Sequence, residues 1–337
     1  MKKPILELNH LSVSFDTPKG EVQAVRDVSF SLQQGEILAV VGESGCGKTV
    51  MSYSVMKLLP KSARIKSGSI VLDGKDITAY KEKEMKNIRG SIVSMVFQDP
   101  MTTLNPTMPI GEQITEAICK HKKVSKEEAK AKAIELMDMV GIEDPVYRYD
   151  LQPHFFSGGM RQRSVLAIAL ALEPKVLLAD EPTTALDVTV QRKILDLLLE
   201  IRKKTGIAIV FISHDLGVVA RIADRVAVMY AGKIVETGTA EEIFYDPRHP
   251  YTWGLMEALP VFAKAGKRLK TIPGMPPMLL NPPPGDAFAP RNRFAMKIDY
   301  EKMPPMFEIS PTHQAATWLL DERAPKVVPP VRIERKI

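Results

Sequence analysis

The chain has 337 residues, 46 of them basic and 40 acidic, for a net charge of +6. Hydrophobic residues make up 45% and charged residues 26%, the ordinary composition of a globular protein, and the length suits one large domain with an appendage, or two domains. The longest apolar run, Val165 to Leu172, is too short to cross a bilayer, and the two cysteines, Cys46 and Cys119, fit neither a disulfide framework nor a zinc spacing.

Met1, Lys2 and Lys3 lead into polar sequence with no apolar signal region, so a cytoplasmic chain is expected. Ile5 to Leu8 and Leu11 to Phe15 alternate apolar and polar residues and predict strands, as does Val25 to Leu32. Ile37 to Val41 is apolar throughout, which predicts a strand buried on both faces. A Gly-rich turn follows, then a helix from about Thr49 to Leu59, stopped by Pro60. From about residue 107 to 155 the character becomes helical. Ser125 is a good N-cap there, and Ala129 to Val140 carries helical spacing. A helix over roughly 160 to 172, a buried strand at Val176 to Leu178 and a helix over about 188 to 204 come next. The strand Ala208 to Ile212, a short helix and the strand Val226 to Tyr230 close this region. Strands alternating with helices predict an α/β fold with a largely parallel core sheet. Of the 26 prolines, 16 lie from Pro247 onward. That spacing predicts an irregular, loop-built C-terminal segment.

Gly42-Glu43-Ser44-Gly45-Cys46-Gly47-Lys48-Thr49 matches the phosphate-loop pattern G-x-x-x-x-G-K-[ST], between a buried strand and a helix as that motif requires. Its glycines let successive backbone N–H groups and the helix N-terminus face phosphate oxygens. Lys48 is placed to reach the β and γ phosphates, and the Thr49 hydroxyl to bind Mg²⁺. Cys46 occupies a free position of the motif, where a small structural residue is the plainer reading than a reactive thiol. Val176 to Ala179 is an apolar strand that ends in Asp180-Glu181. Asp180 suits Mg²⁺, which prefers hard oxygen ligands, and Glu181 suits a general base on the attacking water. Solvated acids often end strands; the phosphate loop is what makes this pair a site.

With those residues in place the chain resembles the ATP-binding-cassette ATPases. Ser157-Gly158-Gly159 looks like the family's signature loop, with Phe156 and Met160 as departures at its edges. Gln98 matches the Q-loop, Ala185-Leu186-Asp187 the D-loop and His214 the switch histidine. Phe15 is placed like the aromatic that stacks on adenine, or is a core aromatic. The resemblance implies an α/β fold of three parts: a β-subdomain, a RecA-like core sheet and a helical insert at about 100–165. It implies a nucleotide held by Phe15, Gly42, Ser44, Gly45, Cys46, Gly47, Lys48, Thr49, Val50, Ser157, Gly158, Gly159 and Asp187. Mg²⁺ would be held by Thr49, Gln98 and Asp180, and catalysis carried by Glu181, His214 and Gln98. Two such domains pair head to tail, with each ATP between the phosphate loop of one and the signature loop of the other.

A finer resemblance spans nearly the whole chain. Gln98 to Pro106, His249-Pro250-Tyr251-Thr252 and Ile272-Pro273-Gly274 look like segments of the oligopeptide and dipeptide importer branch. This implies an ATP-binding domain over 1–245 and an importer-type extension over 246–337. It implies an ATPase at the cytoplasmic face of the cell membrane, paired with a second, similar ATPase. Two membrane permeases and an extracellular peptide-binding protein complete the system, with no nucleic acid. Gln98 to Pro106, limited to a loop by Pro100 and Pro106, is expected to help receive a permease helix. Importers of dipeptides, nickel or glutathione remain alternatives, as does, further off, a soluble cassette ATPase acting on nucleic acid. Against the last, the charges are mixed and no basic arm or coiled coil is visible. Where many members of the branch carry four cysteines, this chain aligns Asp286, Asn292, Asp299 and Thr317. Iron–sulfur clusters require thiolates, so no cluster is expected. The tail is expected to be held by Phe288, Phe294, Met296, Phe307 and Trp318.

Overall fold

Strands and helices alternate from Val176 to Tyr230, after a run of helices between Val96 and Val176, in a computed structural model that describes residues 3–184, 186–259 and 270–331. Contacts divide the chain into two units. One comprises Met1–Leu6, Leu32–Glu36 and Val71–Ile212; the other comprises Glu7–Ser31, Ile37–Ile70 and Ser213–Ile337.

The first unit carries three parallel strands. Val93–Val96 pairs with Val176–Asp180, which pairs in turn with Ala208–Ser213, in the registers Val93↔Val176 and Val176↔Ala208. The last two are buried along their whole length, as apolar strands covered on both faces must be. Helices Ile110–His121 and Lys126–Met139 pack on each other, and the second packs on Gly158–Leu170. Ser125 caps the second of these with a reciprocal pair: its hydroxyl accepts from the Glu128 N–H, and the Glu128 carboxylate accepts from the Ser125 N–H. The helix Val188–Thr205 buries Ile194, Leu195, Leu197, Leu198 and Ile201. It ends at Gly206 in the left-handed conformation, with Arg202, Lys203 and Lys204 in its last turn. One expectation fails here. Pro100 does not restrict the segment after Gln98 to a loop. It takes the first position of a one-turn helix, Pro100–Thr103, capped by the Asp99 carboxylate, because proline's missing N–H and fixed φ suit a helix start.

In the second unit, Leu6–Thr17 lies between Gly20–Leu32 and Ala63–Leu72. The two short strands expected at the N-terminus are thus one, with His10 at φ 53° interrupting its pleat. Ile37–Val41 pairs parallel with Arg225–Tyr230, which pairs antiparallel with Lys233–Thr239, a strand the apolar pattern did not announce. The helix expected to reach Leu59 spans Lys48–Met56. Pro60 disfavours the helical conformation at Leu59, and Lys57 takes φ 52°, so the helix closes early.

The C-terminal segment is mostly irregular, as its prolines imply, yet it is tied into the second unit. Gln314–Ala315 adds a strand to Lys233–Thr239. Ser310 and Thr312 hydroxyls donate to the Glu242 carboxylate. Phe288 packs edge-on to Tyr230 and Tyr251 at 5.2 and 5.3 Å, and Phe294 on Trp253 at 5.5 Å. Phe307 lies 6.1 Å from Trp318. Glu236, fully buried on its strand, accepts from the Arg248 and His249 N–H groups and contacts His313 Nε2 at 2.8 Å. Removing one partner of a buried pair leaves the other desolvated. His313→Leu should therefore cost about 3 kcal/mol of stability, read as a lowered urea midpoint at unchanged m-value. An unmoved midpoint contradicts it.

Asp286, Asn292, Asp299 and Thr317, at the four cysteine-aligned positions, are all buried. Each caps a local turn. They accept from the N–H groups of Phe288, Phe294, Met296 and Leu319 respectively, the first two at 2.9 Å. That is the use short polar side chains commonly find in turns. Burial raises the Asp286 carboxyl from its usual 3.8 to about 6; the Phe288 N–H opposes this, and Asp299 adds to it. A raised folded-state value means the folded chain holds the proton more tightly, so stability falls as pH rises from about 4 to about 6 and stays lowered above. Asp286→Asn keeps the acceptor and removes the charge. It should stabilise the protein by about 2–3 kcal/mol at pH 7.5, a gain that fades below pH 4. Urea titrations at both pH values check it; equal gains at both would refute the cause.

Candidate functional site

In the second unit the phosphate loop follows Ile37–Val41. Gly42, Gly45 and Gly47 all have positive φ, and the reason is packing as well as rotation. A Cβ on Gly42 would lie 2.1 Å from the Met229 carbonyl oxygen, and one on Gly47 would lie 2.3 Å from that of Ala24. Only glycine allows the loop to turn this tightly against neighbouring backbone. Lys48 begins the helix and is 5% exposed. Its Nζ donates to the Gly42 and Glu43 carbonyls at 2.8 and 3.0 Å. The ammonium is therefore held inside the concavity formed by its own loop, and the loop with its helix N-terminus is built to receive an anion. Ser44, Gly45 and Thr49 stand exposed on the loop, and Val50 is half-buried beside them. Burial pushes the Cys46 thiol up, against the pull of Lys48; Cys46 serves packing, with its Sγ close under Gly42. Phe15 is half-buried on its strand. His214 stands exposed after the strand Ala208–Ser213. It is framed by the Asp215 N–H donating to Ser213 Oγ and by Asp215 capping the helix Leu216–Ile222.

The first unit gathers a second group. Asp180 ends its strand 3% exposed. Glu181 follows with φ 47° and donates its N–H to the Ile212 carbonyl at 3.0 Å. A non-glycine residue in that region costs on the order of 1 kcal/mol, and such strain persists where neighbours over-determine it. The turn swings the Glu181 carboxylate to Gln98, whose Nε2 donates to Oε2 at 3.1 Å; Thr184 Oγ1 donates to the same oxygen at 2.9 Å. Gln98 and Glu181, 83 residues apart, are thus in direct contact, a pairing the sequence did not announce. Thr184 was missed; its only signal is a hydroxyl three residues after the acid.

Ser157 caps the helix Gly158–Leu170, its hydroxyl accepting from the Met160 N–H. Phe156 is buried behind it. A Cβ on Gly159 would meet Val190 at 2.6 Å, so the glycine pair lets this helix start close to the helix Val188–Thr205. Asp187 caps the latter by accepting from the Val190 N–H. Ala185, the first residue of the expected D-loop, lies outside the described residues. Among the described residues no cluster of three His, Cys, Asp or Glu could hold a metal ion, and no helix is long and apolar enough to cross a membrane.

Comparison with known proteins agrees with this arrangement. The ABC transporter family profile matches residues 25–184, and the profile of the oligopeptide/dipeptide transporter C-terminal region matches residues 235–298. The oligopeptide transport ATP-binding protein OppD of Bacillus subtilis is 58% identical over 335 residues, 99% of this chain and 94% of that protein. The dipeptide transport ATP-binding protein DppD of Lactococcus lactis is 55% identical over 329 residues, covering 97% and 94%. Among solved structures, the dimeric post-hydrolysis state of the ATP-binding cassette MJ0796 bound to ADP and phosphate superposes with a TM-score of 0.63. It shares 25% identity and covers 70% of this chain and 98% of that one. With a phosphate loop, a strand-end acid pair and a capped Ser-Gly-Gly turn matched along almost its full length, the chain belongs to the ABC transporter ATPases of the oligopeptide/dipeptide importer type.

Proposed function

We propose that this chain binds ATP with Mg²⁺ and hydrolyses it to power import of oligopeptides through a membrane permease. The observation that carries the reading is the full-length match, through the C-terminal segment, to a protein named for oligopeptide transport. In this reading residues 1–245 form the ATP-binding domain, with a helical insert at about 100–165, and residues 246–337 form the importer-type extension. Each unit offers oxygen donors of the kind Mg²⁺ prefers: the exposed Thr49 hydroxyl in one, the buried Asp180 carboxylate and the Gln98 amide in the other. The metal would neutralise developing phosphate charge. Lys48 and the loop N–H groups bind the phosphates. Glu181, steadied by Gln98 and Thr184, accepts the proton of the attacking water, and His214 is a further phosphate contact. The Ser157–Gly159 turn acts on the nucleotide of a second, similar ATPase. That pair works with two permeases and an extracellular peptide-binding protein, at the cytoplasmic face of the cell membrane.

Dipeptides are the second reading, favoured by the 55% match to a dipeptide transport protein. Deleting the gene and supplying a required amino acid only within peptides of two to six residues separates them. Loss of growth on the longer peptides, restored by the wild-type gene, supports the oligopeptide reading. Loss confined to dipeptides supports the second, and unimpaired growth on every peptide contradicts both.

A further inference from the structure

Glu43, the second residue of the phosphate loop, is held from outside the loop at two points. Its carboxylate receives both terminal nitrogens of Arg291, Nη1 at 2.5 Å and Nη2 at 2.8 Å. Its backbone N–H donates to the Tyr251 hydroxyl at 2.8 Å. Both partners come from the C-terminal segment, 248 and 208 residues further along the chain. Its carbonyl, in turn, accepts from Lys48 Nζ at 3.0 Å and from the Cys46 N–H at 3.3 Å. Glu43 is thus a joint between the tail and the lysine of the loop.

The joint is rigid on the tail side. The Arg291 side chain is 5% exposed. Its Nε donates to the Pro273 carbonyl at 2.7 Å and its Nη1 to the Tyr230 hydroxyl at 3.2 Å. Its guanidinium lies over the rings of Tyr230 and Phe288. Tyr251 is fully buried, its ring 4.6 Å from that of Tyr230. This is not an exposed ion pair of negligible effect but a two-pronged, partly desolvated one.

We infer that Arg291 and Tyr251 are positioning residues for the phosphate loop, which set its affinity for ATP through Glu43. Two physical effects converge. A loop with three positive-φ glycines would lose much freedom on binding, and contacts that order it in advance remove that cost. A carboxylate within a phosphate-binding loop repels the phosphates, and the guanidinium neutralises it. The inference rests on the reading that Gly42 to Thr49 binds the phosphates of ATP.

The test is steady-state ATP hydrolysis by the assembled transporter carrying the full chain. Arg291→Met should raise KM for ATP about tenfold, with a much smaller change in kcat; Arg291→Lys should fall between. Tyr251→Phe, which removes one hydroxyl from an otherwise intact core, should raise KM about threefold and keeps the inference testable should the arginine variant misfold. Glu43→Gln combined with Arg291→Met should recover part of the lost affinity, because the unneutralised charge is gone while the ordering contact is not restored. A purely structural clamp would instead lower kcat through loss of active protein, leave KM alone and show no recovery. KM unchanged in Tyr251→Phe and Arg291→Lys, while Lys48→Ala lowers ATP affinity about 10²-fold, overturns this inference alone. Unchanged affinity in Lys48→Ala overturns it together with the phosphate-loop reading.

Discussion

Glu181→Gln should slow ATP hydrolysis by about 10²–10⁴-fold, the usual weight of a general base, while ATP binding persists. The amide keeps the size of the side chain and one acceptor for the Gln98 and Thr184 donors that reach the carboxylate at 3.1 and 2.9 Å. What it loses is the capacity to take a proton from water. Bound ATP should accumulate in the assembled complex, because a nucleotide that is bound and not cleaved stays in its site. Phosphate release and retained radiolabelled ATP are the two measurements. Turnover at the parent rate would remove Glu181 from the role. The strained backbone at φ 47° makes a second substitution informative. Glu181→Gly would relax the turn and also remove the acceptor that Gln98 and Thr184 reach, so any loss beyond that of Glu181→Gln is the joint contribution of those contacts and of holding the turn in place.

Lys48→Ala should fail one step earlier, at binding. The ammonium is 5% exposed and already positioned by two loop carbonyls, so little ordering is needed for it to meet phosphate oxygens. Removing it takes away a charge-assisted contact and leaves those carbonyls facing an anion site. A loss of about 10²-fold in ATP affinity follows from a contact of this class, with hydrolysis falling in proportion at low ATP and partly recovering at saturating ATP. Equilibrium binding of a fluorescent ATP analogue reads the first effect, and the ATP dependence of hydrolysis the second. The contrast between the two variants is diagnostic: Glu181→Gln holds ATP and cleaves it slowly, whereas Lys48→Ala binds it weakly and cleaves what it binds. If both behaved alike, the division of labour between loop and acid pair would be wrong.

The contiguous motifs could be read from the residues. Gly42 to Thr49 is contiguous and fits its motif completely, and it lends meaning to Asp180-Glu181, so loop, acid pair and family were legible before any coordinates. So were the buried strands, because Ile37–Val41 and the stretch from Ala208 to Ile212 are apolar throughout. The four polar residues in place of cysteines were legible too, since short polar side chains beside prolines favour turns. Other features emerge only when the chain is packed. The strand Lys233–Thr239 carries a buried glutamate and a register shift, which blurs the alternation a sequence reader looks for. The helix at Lys48 ends at Met56, short of its proline, because Lys57 turns into the left-handed conformation and caps it. The partnership of Gln98 with Glu181, and of Glu43 with Arg291 and Tyr251, spans 83 to 248 residues. Nothing local encodes such pairs. An arginine far along a proline-rich tail reads as a solvated charge until the fold buries it against a carboxylate, and only the packed chain sets that distance.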